Sequence, residues 1–386
     1  MKNVIYRKYV NDILGLSSYF PVVGIIGARQ VGKTTIGKML KEKLEKEILY
    51  IDLELDSDLS KLNEAELFFK QNSQKCIFID EIQLRPDLFP LIRALVDKTN
   101  DSCQFIITGS ASPKLLRQSS ESLAGRISYI KINPFSLDEL SSETDLTNHW
   151  FRGGFPKSIL APNDILSREW LSSFVDTYIQ RDLSMLGLNA DNELIRRFWK
   201  MIAHMNGDIV NYSNLSKSLG ISVNTVKKYI SFFKNAFLVQ LIEPYSSNLK
   251  KRLLKSPKII LNDTGILHYL LEIDSINHLY SNPALGNSWE AYCINQIIFK
   301  FKNEFEFTYF RTVDGAECDL VLSKSGVNKF AIEIKHSLSP KLSKGNTNSY
   351  NYIQAENNIV IIPEGNEYNL RKDVKAIGIK EFIYKY

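Results

Sequence analysis

The stretch VVGIIGARQVGKTTIGKML at residues 22–40 constrains the chain more than any other. An apolar run suited to a buried strand passes through Gly27, four further residues and Gly32-Lys33-Thr34 into a helix-forming segment. This is the phosphate-binding loop pattern in the strand-to-helix setting that it requires. Gly27 and Gly32 let the backbone turn tightly and direct its N–H groups at a phosphate, beside the positive end of the following helix. Gly27, Ala28, Arg29, Gln30, Val31, Gly32, Lys33, Thr34 and Thr35 are therefore the expected cradle for the phosphate tail of a nucleotide. Lys33 offers a charge for the β- and γ-phosphates, and the Thr34 hydroxyl offers a magnesium ligand.

Two further apolar runs agree with that loop. KCIFIDEIQ at 75–83 reads as a buried parallel strand whose carboxyl end carries Asp80 and Glu81. Asp80 is expected to hold magnesium through water, and Glu81 to orient or activate the attacking water. CQFIITGSAS at 103–112 places Thr108 and Ser110 where a polar side chain can sense the γ-phosphate.

Gly27 to Thr34, the Asp80-Glu81 pair, Thr108-Gly109-Ser110 and LAGRI at 123–127 together resemble the AAA+ ATPases. The whole chain resembles a prokaryotic group, allied to the signal-transduction ATPases, in which an AAA-type ATPase precedes an uncharacterised domain with a restriction-endonuclease-like core. The resemblance implies ATP and Mg²⁺ as cofactors and leaves room for a homo-oligomer. It also implies that Arg126 contacts the γ-phosphate, in its own chain or in a neighbour's. RGGFP at 152–156 is similar to an element placed near the adenine in related ATPases, and Arg181 in YIQRDL is a second basic candidate.

A length of 386 residues with 44% hydrophobic content suits a globular protein of two or three domains. The four cysteines, at 76, 103, 293 and 318, form no C-x-x-C pair and read as core thiols of a reducing cytosol. No apolar run approaches the length of a membrane span, so a cytoplasmic location is expected. The net charge of +5 is mild, but Lys227, Lys228, Lys234, Lys250, Lys251, Arg252, Lys255 and Lys258 face a single acid, Glu243, between 227 and 258.

That basic patch overlaps YSNLSKSLGISVNTVKKYISFFKNAFLVQLIEPY at 212–245. Helix, glycine-containing turn, helix and β-ribbon is the outline of a winged helix-turn-helix. Asn224, Thr225, Lys227 and Lys228 would lie near the exposed start of the second helix, where a DNA reader carries polar and basic groups. Residues 224–258 and the C-terminal domain are thus the expected nucleic-acid surface, although such modules also serve only for packing.

Past residue 284 the helix LGNSWEAYCINQIIFKF precedes FEFTYFRT, AECDLVLS and KFAIEIKHS, and then a helical stretch and NNIVIIP, in the order αβββαβ. Glu290 falls in the helix, Asp319 in the second strand, and Glu333 and Lys335 in the third. This layout resembles the PD-(D/E)XK nuclease superfamily. Residues 333 and 335 project from one face of their strand. Asp319 and Glu333, with Glu290, are the expected Mg²⁺ ligands, and Lys335 would position an attacking water or stabilise developing charge. The alternative is a degenerate fold that binds without cutting, with Asp319, Glu333 and Lys335 as an ion-paired face.

The fold expected is α/β: an ATPase core of parallel sheet at 1–135, a helical lid at 136–190, a winged helix-turn-helix at 191–272 and a nuclease-like domain at 284–386. The function expected is ATP hydrolysis controlling a C-terminal domain that acts on, or docks to, nucleic acid, which suits genome defence or DNA processing. A signalling or scaffold ATPase with a protein partner is the second reading, and transcriptional regulation a third.

Overall fold

In the computed structural model of the chain, which describes residues 5–99, 101–110, 123–140, 145–185, 188, 190–245, 256–312 and 314–386, the apolar runs of the first third form one parallel sheet. Its strands are β1 (Val22–Gly27), β2 (Ile48–Asp52), β3 (Cys76–Asp80), β4 (Phe105–Ser110) and β5 (Ile127–Ile132), in the order β2-β3-β4-β1-β5. Gly27 pairs with Ser110 and Ile132, and Asp52 with Asp80, so the carboxyl ends of all five strands share one edge. Burial on both faces of the three inner strands β1, β3 and β4 explains why they read as unbroken hydrophobic runs, whereas the edge strands β2 and β5 are half-buried. Helix α1 (Tyr9–Ser17) precedes the sheet, and helix α2 (Lys33–Lys41) leaves the loop that follows β1.

Residues 1–135, 185–188 and 235–237 make one compact unit, and 136–184, 189–234 and 238–386 make a second. The second unit therefore gathers the segments anticipated as lid, winged helix and nuclease-like domain. Its sheet has eight strands: β6 (Val239–Pro244), β7 (Lys258–Leu261), β8 (Glu306–Arg311), β9 (Glu317–Lys324), β10 (Val327–Ile334), β11 (Asn357–Ile362), β12 (Tyr368–Arg371) and β13 (Val374–Gly378). The order is β12-β13-β11-β10-β9-β8-β6-β7.

The helix-turn-helix outline is present, with helices α3 (Tyr212–Leu219) and α4 (Val223–Asn235) separated by Gly220 at φ 68°. The ribbon that follows does not stand free as a wing. β6 and β7 pair antiparallel with each other, and β6 also pairs with β8 at Glu243–Thr308 and Pro244–Tyr309. INHLYSNPALGN at 276–287, whose Asn-Pro and Gly signals read as a linker, thus lies within one unit, because the sheet draws strands from both sides of it.

Beyond the ribbon the order αβββαβ is observed: α6 (Leu285–Phe301), β8, β9, β10, α7 (Lys344–Ile353) and β11. Alternate side chains serve opposite faces of the sheet, as strand geometry requires. Leu320, Leu322, Ile332, Ile359 and Ile361 join one core with Trp289 and Ile294 of α6, while Val321, Ala331 and Val360 join another with Tyr350 and Ile353 of α7.

The RGGFP segment is used here, in the second unit, to hold a buried carboxylate. Asp263, which caps α5 (Thr264–Leu270), accepts from Ile266 N at 2.9 Å and Gly154 N at 2.8 Å. Burial pushes its carboxyl up to about 6 against the opposing pull of those amides. Gly153 has φ 73°, and a Cβ there would lie 2.2 Å from Asp263 Oδ1. Gly153→Ala should therefore destabilise the second unit by on the order of 2 kcal/mol or more. All four tryptophans, Trp150, Trp170, Trp199 and Trp289, belong to this unit, so urea denaturation followed by tryptophan fluorescence reads the loss directly. An unchanged midpoint would contradict the tight fit.

Candidate active site

The loop between β1 and α2 is shaped by two different needs for glycine. A Cβ on Gly27 would lie 2.5 Å from the Ile132 carbonyl oxygen, so close backbone approach demands glycine there, whereas Gly32 is needed for its φ of 97°. The Lys33 ammonium lies inside the loop, donating to the carbonyls of Ala28 at 3.1 Å and Gly27 at 3.3 Å. Beneath the loop is a residue that sequence reading did not single out. Arg7 is 1% exposed and donates to the carbonyls of Val31 at 2.5 Å and Asn133 at 2.7 Å, with its guanidinium 4.5 Å from the Phe135 ring centre. Nothing local to YRKYV signals this, since the partners lie 24 and 126 residues away.

Asp80, at the carboxyl end of β3, is buried and its oxygens are divided among three hydroxyls. Thr34 Oγ1 donates to Oδ2 at 2.8 Å, Tyr50 OH donates to the same oxygen, and Thr108 Oγ1 donates to Oδ1. Thr108 in turn accepts from the Glu81 backbone N–H at 3.2 Å, which ties the start of the next turn to β4. Tyr50 on β2 stacks on Phe78 with ring centres 5.0 Å apart, and burial, then its hydrogen bond to Asp80 and that acid's charge, raise its phenol above the ordinary range. Glu81 has φ 56°, a left-handed backbone uncommon for a residue with a side chain, and its carboxylate accepts from the Gln83 amide.

This edge brings together Lys33, Thr34, Asp80, Glu81 and Thr108 as expected, and adds Tyr50 and Gln83. Thr34 and Asp80 present hard oxygen donors side by side at a helix N-terminus, a donor set that fits magnesium with a nucleotide phosphate. Ser110 ends β4, but its side chain lies outside the described residues. Arg126 lies elsewhere, and its expected contact within its own chain is corrected. Its carbonyl accepts from Val22 N at 3.2 Å, at the amino end of β1, and its guanidinium donates to Ala124 O at 2.8 Å and to Asp97 Oδ2 at 3.0 Å. Six strand residues at about 3.3 Å each separate that end from the phosphate loop.

The second constellation forms in the eight-stranded sheet, and the structure gives it a member that sequence reading had assigned to the basic patch. Lys258, at the start of β7, is 2% exposed. Its ammonium donates to Glu290 Oε1 at 3.0 Å, lies 3.3 Å from Glu317 Oε1 and 3.8 Å from Asp319 Oδ1, and sits 5.6 Å from the Tyr309 ring centre. Burial opposes its charge, but Glu290, Asp319 and Glu317 together raise its pKa. Asp319 Oδ2 accepts from Ile334 N at 2.8 Å, and Lys335 pairs with Glu333 at 2.6 Å.

Glu290, Asp319, Glu333 and Lys335 are therefore neighbours, but the geometry does not support Glu290, Asp319 and Glu333 as metal ligands. Among the described residues no group of three or more His, Cys, Asp or Glu is placed to hold a metal ion. The Lys258 ammonium occupies the space between Glu290 and Asp319. The donor set does not fit Mg²⁺. Of the remaining patch, Lys227, Lys228 and Lys234 are exposed on α4, while Lys250, Lys251, Arg252 and Lys255 lie outside the described residues. The four cysteines are free and buried, and no described helix is long and apolar enough to cross a membrane.

Burial, and then the Asp319 charge, push both Glu290 and Glu333 up to about 8 from an unfolded value of 4.5. Between those values the folded chain holds more protons than the unfolded chain, so stability falls as pH rises from about 5 to about 8. Urea midpoints read by tryptophan fluorescence across that range should decline, and Glu290→Gln with Glu333→Gln should flatten the decline. A wild-type profile of the same slope as the double variant would remove this account.

Residues 19–141 match the family described as an AAA domain, and residues 143–277 and 285–382 match two domains of unknown function, DUF8612 and DUF4143. The chain is 34% identical over 363 residues to the uncharacterized protein Rv2008c of Mycobacterium tuberculosis, covering 94% of this chain and 81% of that one. It is 25% identical over 302 residues to an uncharacterized protein of Haemophilus influenzae, covering 70% and 74%. Among solved structures, the Walker-type ATPase paby2304 of Pyrococcus abyssi aligns at 15% identity with a TM-score of 0.46, over 69% of this chain and 96% of that one.

Proposed function

The chain belongs to the same family as the mycobacterial protein Rv2008c and begins with an AAA-type P-loop ATPase domain, and from that premise we propose that it is an ATP-driven switch. Its nucleotide state would govern what the C-terminal unit docks on. The observation that carries the ATPase assignment of roles is the sharing of Asp80 among Thr34, Tyr50 and Thr108 at the mouth of the Lys33 loop. Bound magnesium would neutralise charge on the transferring phosphoryl group. The chain's own residues divide the rest of the work. Loop amides from Gly27 to Thr35 would bind phosphate oxygens, Lys33 would leave the loop carbonyls for the β- and γ-phosphates, and Thr34 and Asp80 would hold the ion. Thr108 fixes the turn from which Glu81 reaches a water, and Glu81 exchanges its Gln83 contact for that water.

For the C-terminal unit the reading supported best is a restriction-endonuclease-like fold that docks on its partner without cutting it. Lys258 between the carboxylates favours this over cleavage. Duplex DNA is the partner put forward, since Asn224, Lys227, Lys228 and Lys234 are exposed along α4. A role in genome defence or DNA processing accords with that construction.

Lys33→Ala should abolish tight ATP binding, whereas Glu81→Gln should keep binding and lose hydrolysis. Calorimetry with ATP and a phosphate-release assay separate the two, and wild-type turnover in Glu81→Gln would take Glu81 out of its role. For docking, fluorescence anisotropy with a labelled duplex should show weaker binding and a shallower salt dependence by up to about three contacts when Lys227, Lys228 and Lys234 are all changed to Ala. A protein partner is indicated instead if the wild type shows no duplex affinity.

A further inference from the structure

The carboxylate cluster of the second unit has the composition of a divalent-cation site and an occupant of its own. Glu290 on α6, and Glu317 and Asp319 on β9, place three oxygens between 3.0 and 3.8 Å from one ammonium. That ammonium belongs to Lys258, which arrives from the ribbon β6–β7, on the far side of β8 from β9. It sits over the Tyr309 ring, and the lysine side chain is 3% exposed. Lys335, just past the end of β10, accompanies Glu333 at the same cluster. Asp319 and Glu333 are buried and Glu290 is largely so, and acids placed this way call for positive charge close by, which two lysines supply.

We propose that Lys258 is a resident cation: its ammonium stands where a divalent ion would bind, so the cluster fastens the ribbon to the sheet and takes up no metal. An ammonium carries one charge and donates three hydrogen bonds, but has no open coordination position at which to activate a water. The cluster consequently holds the fold's acids in place without offering metal-assisted hydrolysis. Removing the ammonium and keeping the stem, as in Lys258→Met, should expose the latent donor set to divalent cations. The inference rests on the geometry of the cluster and deepens the docking reading of the C-terminal unit; it is independent of ATP turnover.

The test uses full-length, chelator-treated protein without nucleotide and Mn²⁺ as the probe. Bound Mn²⁺ is counted from the loss of the free-ion electron paramagnetic resonance signal, and urea midpoints are read by tryptophan fluorescence. Asp80→Asn is carried in every chain to silence the ATPase site. The wild-type cluster should take up no Mn²⁺ and show no shift of midpoint. Lys258→Met should melt earlier without metal, bind one Mn²⁺, and recover part of its midpoint with it. Adding Asp319→Asn to Lys258→Met should abolish that uptake. Mn²⁺ uptake by the Lys258 chain that disappears on Asp319→Asn overturns the proposal, as does a Lys258→Met chain that folds, matches the Lys258 chain in stability and ignores Mn²⁺. If Lys258→Met does not fold, uptake by the Lys258 chain, with and without Asp319→Asn, decides alone. A docking failure with these metal results intact would count against the partner and leave the resident cation standing.

Discussion

A carboxylate taken out of water has to be met by donors, and each unit is organised around that requirement. Asp80 meets it with three hydroxyls from three strands or helices, Asp263 with backbone amides of a glycine turn and its own helix, and Asp319 with an amide and a lysine. The solutions differ in what they permit. Hydroxyls around Asp80 can rotate and be exchanged for an ion and its waters. Amides around Asp263 are fixed by the fold, and leaving that acid without them would cost several kcal/mol. The ammonium at Asp319 is tethered to a strand and is shared with Glu290 and Glu317, so it stays with the chain where an ion could leave.

The phosphate site was legible because its chemistry is local. Gly27 to Thr34 lie within eight consecutive residues, and Asp80-Glu81 end an apolar run, so spacing alone identifies them. Arg7 and Tyr50 escaped notice because they act through contacts 24 or more residues away and belong to no short pattern. The same holds in reverse for Arg126. Its place shortly after the sensor strand suggested the γ-phosphate, but a position just before β5 starts is the wrong end of a parallel sheet.

Lys258 is the instructive case in the second unit. Composition counts it with seven other basic residues, and a solvated basic face is the ordinary reading of such a run. What separates it from them is that Ile259, Ile260 and Leu261 follow as a buried strand, which carries the lysine stem inward. The αβββαβ order was readable from periodicity, and the grouping of Glu290, Asp319, Glu333 and Lys335 from the resemblance to the PD-(D/E)XK nucleases. The cation among them was not, because it comes from a ribbon that the sequence assigns to another module.

The parallel pairing of β6 with β8 has a consequence for how such chains are inherited. The two segments of unknown function meet between residues 277 and 285, yet the sheet runs across that seam, and so does the contact of Lys258 with Glu290. A rearrangement that parted them there would leave β8 with a bare edge and Glu290, Glu317 and Asp319 without their counter-ion, while the other fragment kept a buried lysine with no acid to meet. Neither fragment is a transplantable module. Only when the two segments travel together do the sheet and its ion pair stay whole.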